Sequence, residues 1–373
     1  MNRRWMRSVS LALAAAVCAT GLIGVPVNAK PSPKPGRPCP AVGAEVTKGR
    51  WVFTCTLKKG KRVWVRTPKP PAKPTWQIVA EQLHTNSIKR RAASPATDFE
   101  FTASPTVSPS VVESVKTVTR WSYGLWYGIA PLPDEYPVLI VDESSEDWLR
   151  EQANRFPGDQ CSPQWWARLR SDPQGLSGAV CSTPRGDWVY LIFYVGSERT
   201  GAPDWLALHE TVHVAQGQLI GEHVLNAGSE CWLVEGMAEL YAGALSWSRT
   251  TGRFFPSATS AYRSLAVSPL NRIAPTPEEI MSSEFWLDAI RTSEDRTQEA
   301  CWGTGLGYSL GYLVTEKLVA DFGEQRLIDW MRLTGRTEDS DSAFATVFGI
   351  DQDAWYERSA APYVAQEAAL ILG

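Results

Sequence analysis

The sequence predicts an α+β fold, with a small mixed sheet followed by a mainly helical region. Runs of β-branched and aromatic residues at 137–141 and 187–195 are typical of strands. From about Thr276 onwards, apolar residues instead recur with helical spacing. We therefore expect an N-terminal α/β subdomain and a helical C-terminal subdomain, with a cleft between them.

Residues 1–29 have the pattern of a signal peptide. Three arginines precede an apolar stretch from about Val9 to Val25, and Val27-Asn28-Ala29 provides a small-residue cleavage site. No later stretch reaches the roughly 18 apolar residues that a membrane-spanning helix needs. The sequence therefore predicts an exported protein, secreted or extracytoplasmic, with no transmembrane segment after signal cleavage.

Residues 30–66 form a small basic module, and a proline-rich linker follows at 67–75. A module of this size needs a disulfide to stay folded. Residues 30–75 carry twelve Lys or Arg and one acidic residue, which suits an anionic cell-wall polymer or lipid headgroups as a partner. A solvated basic stretch that only aids solubility explains the charge equally well. We expect no nucleic-acid partner for an exported chain.

Residues 76–373 form the main domain. The expected elements are, in chain order, helix 76–89, helix 110–127, strand 137–141, helix 146–156 and strand 187–195. A polar stretch rich in Ser, Thr and Pro at 93–109 predicts a loop between the first two helices. The sequence leaves open whether residues 76–108 are a removable prosegment.

The most informative motif is His209-Glu210-Thr211-Val212-His213, on a helix that begins near Asp204. Residues four apart lie on one face of a helix, so the two imidazoles can bind one zinc ion. Glu210 lies about 100° round the helix, where its carboxylate can reach a water rather than the metal. We therefore expect His209 and His213 as zinc ligands and Glu210 as the general base.

A catalytic zinc needs a third protein ligand, which we expect from the next helix, Cys231–Trp247. The two remaining histidines, His84 and His223, lie in no metal-ligand pattern, so an acidic ligand is favoured. Glu235 is that ligand. Glu239 lies four residues later on the same face. There it can accept a hydrogen bond from a ligating histidine, through the ring nitrogen that does not bind the metal, which fixes the tautomer of that histidine.

These motifs together resemble the gluzincin branch of the zinc metallopeptidases. The segments that carry the resemblance are His209–His213, Trp232–Glu239, Gly307–Tyr312 and Ala343–Gly349. The likeness would cover roughly residues 110–373, and it implies a zincin-like fold, a zinc cofactor and hydrolysis of peptide bonds. The roles it implies are zinc ligation by His209, His213 and Glu235, water activation by Glu210, and orientation of His209 by Glu239. The chain lacks the Gly-x-Met-x-Asn signature of the aminopeptidases, so exopeptidase activity is not implied.

Hydrolysis of an amide also needs a donor for the tetrahedral oxyanion. In similar peptidases a tyrosine after the metal helices supplies it, which points to Tyr308, with Tyr312 one turn on as the alternative. Both tyrosines also have the spacing of residues that face the hydrophobic core from one side of a helix, so a packing role is the alternative. Similar peptidases align the extended substrate along an edge strand of the sheet, and 187–195 is the candidate for that strand.

Six cysteines remain after signal removal, an even number that suits an oxidising compartment. They are Cys39, Cys55, Cys161, Cys181, Cys231 and Cys301. Fifteen pairings are possible, and the separation of the modules favours Cys39–Cys55, Cys161–Cys181 and Cys231–Cys301. No Cys-x-x-Cys spacing indicates a zinc–cysteine site.

Two functions remain open at this point. The first is a secreted zinc peptidase that acts on a peptide or protein substrate through Glu210. The second is a cell-wall or surface-associated binding protein, attached through residues 30–66, whose zincin-like domain is catalytically inactive. The substrate, the oligomeric state and the choice between endo- and exopeptidase activity are not determined by the sequence.

Overall fold

The structure is a computed structural model. It describes residues 32–49, 51–68, 72–95, 99–130, 137–156, 173–182, 188–201, 204–221, 230–274, 276–294 and 305–372. The predicted signal peptide, Cys161, His223 and Cys301 lie outside these ranges. The chain divides into two compact units, Met1–Ala72 and Lys73–Gly373. None of the described helices is long and apolar enough to cross a membrane.

The first unit contains a three-stranded antiparallel sheet in the order β1-β2-β3. The strands are β1 (Glu45–Lys48), β2 (Trp51–Lys58) and β3 (Lys61–Pro68). A two-residue turn joins β2 to β3, with positive φ at both Lys59 and Gly60, as a tight hairpin requires. The predicted Cys39–Cys55 disulfide is confirmed, with a Cα–Cα distance of 5.7 Å. It packs with Phe53 and Trp64 in a core too small to be stable alone.

The second unit contains a four-stranded mixed sheet in the order β4-β5-β7-β6. The strands are β4 (Phe101–Ala103), β5 (Val138–Val141), β6 (Leu176–Ser182) and β7 (Trp188–Val195). β4, β5 and β7 are parallel, and β6 is antiparallel to β7. The mixed α+β class is therefore confirmed. The loop expected at 93–109 contains β4, a strand of only three residues whose pattern is too short to recognise in the sequence.

The position of β7 in the sheet corrects one prediction. β7 pairs with β5 on one side and with β6 on the other, so the expectation that 187–195 is an edge strand is wrong. Among the strands that the structure describes, β6, which the sequence did not predict, lies at the edge. β7 is a nearly continuous apolar run, which is typical of a strand covered on both faces, whereas β6 contains Ser177 and Gly178 and has a weaker strand signal.

Helices cover both faces of this sheet. They are α2 (Pro109–Tyr123), α3 (Glu146–Ala153) and α4 (Asp204–Ile220), whereas α1 (Thr75–Ala93) packs in the helical core of this unit. Alternate residues of β5 and β7 point to opposite faces, so Ile140 and Phe193 pack against α2 and α4, while Val141 and Ile192 pack towards α3. The sheet thus fixes the position of α4 from one side.

The second half of the unit is helical, as predicted. Its helices are α5 (Cys231–Leu245), α6 (Pro256–Val267), α7 (Pro277–Met281), α8 (Ser283–Thr292), α9 (Leu306–Phe322), α10 (Glu324–Thr337), α11 (Ser340–Phe348), α12 (Gln352–Trp355) and α13 (Ala361–Leu372). Most of them contribute to one large core around α5 and α9, and the buried side of α4 also belongs to it.

Helices α5 and α9 approach each other through two glycines. A Cβ atom placed on Gly236 would lie 2.1 Å from the carbonyl carbon of Gly311, so any side chain there would force the helices apart. Small residues at a crossing allow this close backbone contact. The crossing brings the first turns of α9, with Tyr308, beside the helix that carries Glu235.

Helix α1 belongs to the same compact unit and packs in its large core. Val79 and Leu83 are fully buried in the large core. Arg90 donates to Glu324 at the start of α10 with N–O distances of 2.8 and 3.2 Å, and Asn86 donates to the same carboxylate at 2.7 Å. Residues 75–93 therefore contribute apolar side chains to the large core and hydrogen bonds to the buried Glu324 carboxylate.

Candidate metal centre

Helix α4 presents two imidazoles on one face. His209 and His213 are one turn apart, and their Nε2 atoms lie 3.1 Å from each other. The helix is buried on nearly all sides, between the sheet and the large core. A helix that is apolar all round holds its polar residues in fixed positions, so the two rings have little freedom to separate.

Helix α5 brings a carboxylate to the same point. Glu235 Oε2 lies 3.3 Å from His209 Nε2 and 3.5 Å from His213 Nε2. Among the residues that the structure describes, His209, His213 and Glu235 are the group whose ligand atoms lie close enough together to hold a metal ion. We refer to these three residues as the His–His–Glu triad.

A second carboxylate lies behind His209. Glu239 Oε1 is 3.2 Å from His209 Nδ1, although the two atoms do not form a hydrogen bond in this geometry. A small rotation would let Glu239 accept a hydrogen bond from Nδ1–H, which would leave Nε2 with its lone pair towards the triad. The other oxygen of Glu239 accepts a hydrogen bond of 2.6 Å from the Tyr262 hydroxyl. Tyr262 was not identified from the sequence, because α6 carries no pattern that relates it to the metal helices.

His213 is held in a similar way. Its Nδ1 lies 2.9 Å from Gln216 Oε1 on the same helix. Gln216 is fully buried. Sequence reasoning missed this residue, although its position three residues after His213, on the same helix face, was an available signal.

The charges of the triad are strongly coupled. Burial lowers the pKa of His209, but its interactions with Glu235 and Glu239 outweigh burial and raise the pKa well above the usual value. Burial raises the pKa of Glu235, but the two imidazoles outweigh it and hold the pKa well below the usual value. The opposite shifts of the two pKa values both reflect attraction between the His209 imidazole and the Glu235 carboxylate.

The donor set fits a divalent zinc ion. At the metal–ligand bond lengths of about 2.0–2.2 Å that zinc forms, ligand atoms on a tetrahedron are roughly 3.3 Å apart. The three separations in the triad are 3.1, 3.3 and 3.5 Å. Two neutral imidazoles and one carboxylate are also the ligand types of a catalytic zinc site with one exchangeable position.

Glu210 lies on the same helix, next to the triad but not in it. Its side chain is 5% exposed, and burial raises the pKa of its carboxyl. A Cβ atom placed on Gly178 would lie 2.5 Å from Glu210 Cγ and 2.6 Å from Oε1. The Glu210 carboxyl group therefore lies against the backbone of β6, and any side chain at position 178 would require the Glu210 side chain to move.

Tyr308 and Tyr312 occupy different environments. Tyr308 is half-buried, and its ring stacks on His209 with a centroid distance of 5.9 Å and an interplanar angle of 21°. Tyr312 is 1% exposed and packs in the large core between α5 and α6. The structure therefore brings Tyr308, and not Tyr312, against the triad.

Of the other residues that the sequence analysis considered, His84 and the described cysteines are not part of the triad. His84 is buried on α1, where its ring is 5.8 Å from that of Phe254, away from the triad. Cys181 and Cys231 are each disulfide-bonded, and their partners lie outside the described residues. The pairings proposed for Cys161 and Cys301 therefore stay predictions.

Comparisons with protein-family profiles, with curated proteins and with solved structures find no match.

Proposed function

We propose that the chain is an exported zinc-dependent peptidase with a zincin-like fold of the gluzincin type. The observation that carries the proposal is the His–His–Glu triad with Glu210 beside it. A triad alone would serve a structural metal equally well. A buried carboxylate on the same helix, which interacts electrostatically with the residues of the triad, supports hydrolysis instead, because it can serve as the base for a water.

Each group in the site has a part in amide hydrolysis. A zinc ion in the triad would polarise the scissile carbonyl and acidify a water molecule. Glu210 accepts the proton of that water and passes it to the leaving amine. Tyr308, beside His209, donates a hydrogen bond to the oxyanion as charge develops there. Glu239 and Gln216 keep the two imidazoles oriented.

The position of β6 in the sheet is an argument for a peptide substrate. Among the described strands β6 lies at the edge of the sheet, which favours an extended peptide that pairs beside it and continues the sheet. Because Gly178 of β6 lies against Glu210, a peptide on this edge would pass close to the general base. This alignment suits internal peptide bonds, so we propose that the substrate is a peptide or protein.

Export is the proposed context of this activity. The basic and apolar parts of residues 1–29 are those of a signal peptide, and the Cys39–Cys55 disulfide suits an oxidising compartment. Cys181 and Cys231 are also oxidised. We therefore propose a secreted or cell-wall-associated enzyme.

Cleavage of an unbiased peptide library by the mature protein tests the proposal, with zinc content measured on the same samples. Glu210→Gln keeps the size and burial of the side chain but removes the base. We expect it to retain zinc and to lose cleavage by about 10²- to 10⁴-fold.

Glu113→Gln is the matched control for this substitution, because Glu113 is an exposed residue of α2 paired only with Lys116 at the surface. It should cleave like the wild type. Zinc in the wild type without any cleavage would overturn the peptidase proposal, and a wild type without zinc would overturn the metal site.

A second candidate function rests on the first unit. Eight of the basic residues that the structure describes in this unit are exposed, and β1 to β3 carry most of them: Lys34, Arg37, Lys48, Lys58, Lys59, Lys61, Arg62 and Arg66. The acidic residue of this region, Glu45, accepts a hydrogen bond from Thr54. Such a surface would attach the protein to an anionic wall polymer, with or without peptidase activity in the second unit.

Co-sedimentation of the full mature chain with a phosphate-rich wall polymer tests the second function. Reversal of Lys58, Lys61 and Arg62 to Glu should abolish binding, and added salt should weaken it. Binding that is insensitive to both changes would contradict an electrostatic attachment.

A further inference from the structure

Gln216 makes hydrogen bonds in two directions from a fully buried position on α4. Its Oε1 lies 2.9 Å from His213 Nδ1, and its Nε2 donates to the main-chain oxygens of Leu233 and Val234 at 3.3 and 3.0 Å. The two carbonyls belong to the first turn of α5, directly before Glu235. One side chain thus contacts a ligand on one helix and the backbone beside a ligand on the next.

The two carbonyl groups determine which way the amide points. A carbonyl oxygen only accepts hydrogen bonds, so it requires the NH₂ end of Gln216. The reverse orientation would place Gln216 Oε1 about 3 Å from two other oxygens in a buried site, which costs the full desolvation of those groups. The amide oxygen is therefore directed at His213.

The orientation of the amide in turn determines the tautomer of His213. Because Oε1 only accepts, the proton of the ring must be on Nδ1, and Nε2 keeps its lone pair. Nε2 is the atom that lies 3.1 Å from His209 Nε2 and 3.5 Å from Glu235 Oε2. The backbone of α5 thus selects the form of His213 that can bind a metal.

We propose that Gln216 is a positioning residue that fixes the His213 tautomer and joins the two helices of the His–His–Glu triad. It belongs to neither the triad nor the reacting groups, and it acts on His213 and on the turn before Glu235 together. The inference rests on the metal site of the proposed function and not on peptidase activity.

Zinc binding by the full mature chain tests the inference, measured by competition with a chromophoric chelator. Gln216→Met retains the volume of the side chain and loses both sets of hydrogen bonds. We expect zinc affinity to fall about 10- to 100-fold, the effect typical of losing a partner of a ligating histidine. In ¹⁵N spectra of the zinc-free protein, the neutral ring of His213 should lose its uniform Nδ1–H signature, because no amide oxygen then selects that tautomer.

Gln216→Glu separates the two roles. A carboxylate can still accept from His213 Nδ1, but it cannot donate to the Leu233 and Val234 carbonyls. We expect the Nδ1–H signature of His213 to persist while zinc affinity falls. This variant also serves if Gln216→Met fails to fold.

Gln352→Met is the matched control. Gln352 is a second buried glutamine, 5% exposed, whose Nε2 donates to Glu230 at 3.1 Å and to the Tyr356 hydroxyl. It contacts no residue of the triad. We expect this variant to be less stable but to bind zinc within about twofold of the wild type, since buried hydrogen bonds are lost away from the metal.

The outcomes are distinct for the two proposals. Unchanged zinc affinity and an unchanged His213 signature in Gln216→Met would overturn the positioning role, as would an equal loss of affinity in Gln352→Met. A wild type that binds zinc but cleaves no peptide overturns the peptidase and leaves the role of Gln216 standing. A wild type that binds no zinc overturns both.

Discussion

Two buried groups of charged side chains in the second unit balance their charges in different ways. In the His–His–Glu triad, two imidazole nitrogens and a carboxylate oxygen face one another, and each is an electron-pair donor. In the other group, Arg263 Nη2 lies 2.7 Å from Glu316 and 2.9 Å from Glu367, and Tyr363 donates to Glu316 at 2.5 Å. We refer to this second group as the Arg263 cluster.

The presence or absence of an internal cation distinguishes a structural cluster from a candidate metal site. The Arg263 cluster contains its own cation: burial lowers the pKa of Arg263, but the two carboxylates and Tyr363 outweigh it and raise the pKa. The guanidinium is therefore charged and its partners are satisfied. The triad reaches a comparable balance only with a bound proton or metal ion. Burial of charged side chains alone therefore does not indicate a functional site. A buried group of electron-pair donors that contains no cation of its own is a better candidate for one.

Removal of the cation from the Arg263 cluster should have the largest effect on folding. Arg263→Met leaves two buried carboxylates without their partner, and we expect a loss of about 3–5 kcal/mol in the free energy of unfolding. Urea denaturation of the zinc-free protein measures it. Arg263→Lys keeps the charge and should lose less. A loss below about 1 kcal/mol for the Met variant would contradict a self-contained structural cluster.

Addition of zinc should stabilise the protein only through the triad. At free zinc about 100 times the dissociation constant, we expect about 2.7 kcal/mol of added stability. Glu235→Gln removes the anionic ligand and should abolish this gain, while Arg263→Lys should retain it. Thermal unfolding with zinc and with a chelator gives both values. An equal gain in Glu235→Gln would place the metal elsewhere.

Removal of one tyrosine hydroxyl beside each group should have the smallest effects and compares the triad with the Arg263 cluster most directly. Tyr262→Phe removes the hydroxyl that donates to Glu239, which in turn orients His209. We expect about a tenfold fall in zinc affinity, or about 1.4 kcal/mol. Chelator competition measures it.

Tyr363→Phe is the counterpart in the Arg263 cluster. It removes a hydroxyl from Glu316 and should lower stability by about 1 kcal/mol without changing zinc affinity. Equal effects of the two variants on zinc binding would show that the triad and the Arg263 cluster form one network rather than two.

Much of the fold follows from local sequence pattern, while strand pairing does not. The helices at 75–93 and 109–123 and the strands at 138–141 and 188–195 lie where periodicity predicted them. β6 was missed because Ser and Gly weaken its strand pattern. The order of the strands depends on contacts between residues far apart in the sequence, so the prediction that β7 is an edge strand was wrong.

The sequence by itself determined the residue types of the candidate site, because helical spacing places His209 and His213 one turn apart, and Glu235 and Glu239 likewise. It also places Glu210 about 100° round the helix from His209. It also determined that Cys39 and Cys55 would be close, since the module that holds them needs a disulfide. These are local relations, decided within one element or one small module.

Only the tertiary structure decided which side chains from other elements complete the site. The crossing of α5 and α9 at Gly236 and Gly311 places Tyr308 on His209, while α6 brings Tyr262 to Glu239. Gln216 acquires its role because the first turn of α5 offers it two carbonyls. Such contacts depend on how helices pack across long sequence separations, and no periodicity within a single helix records them.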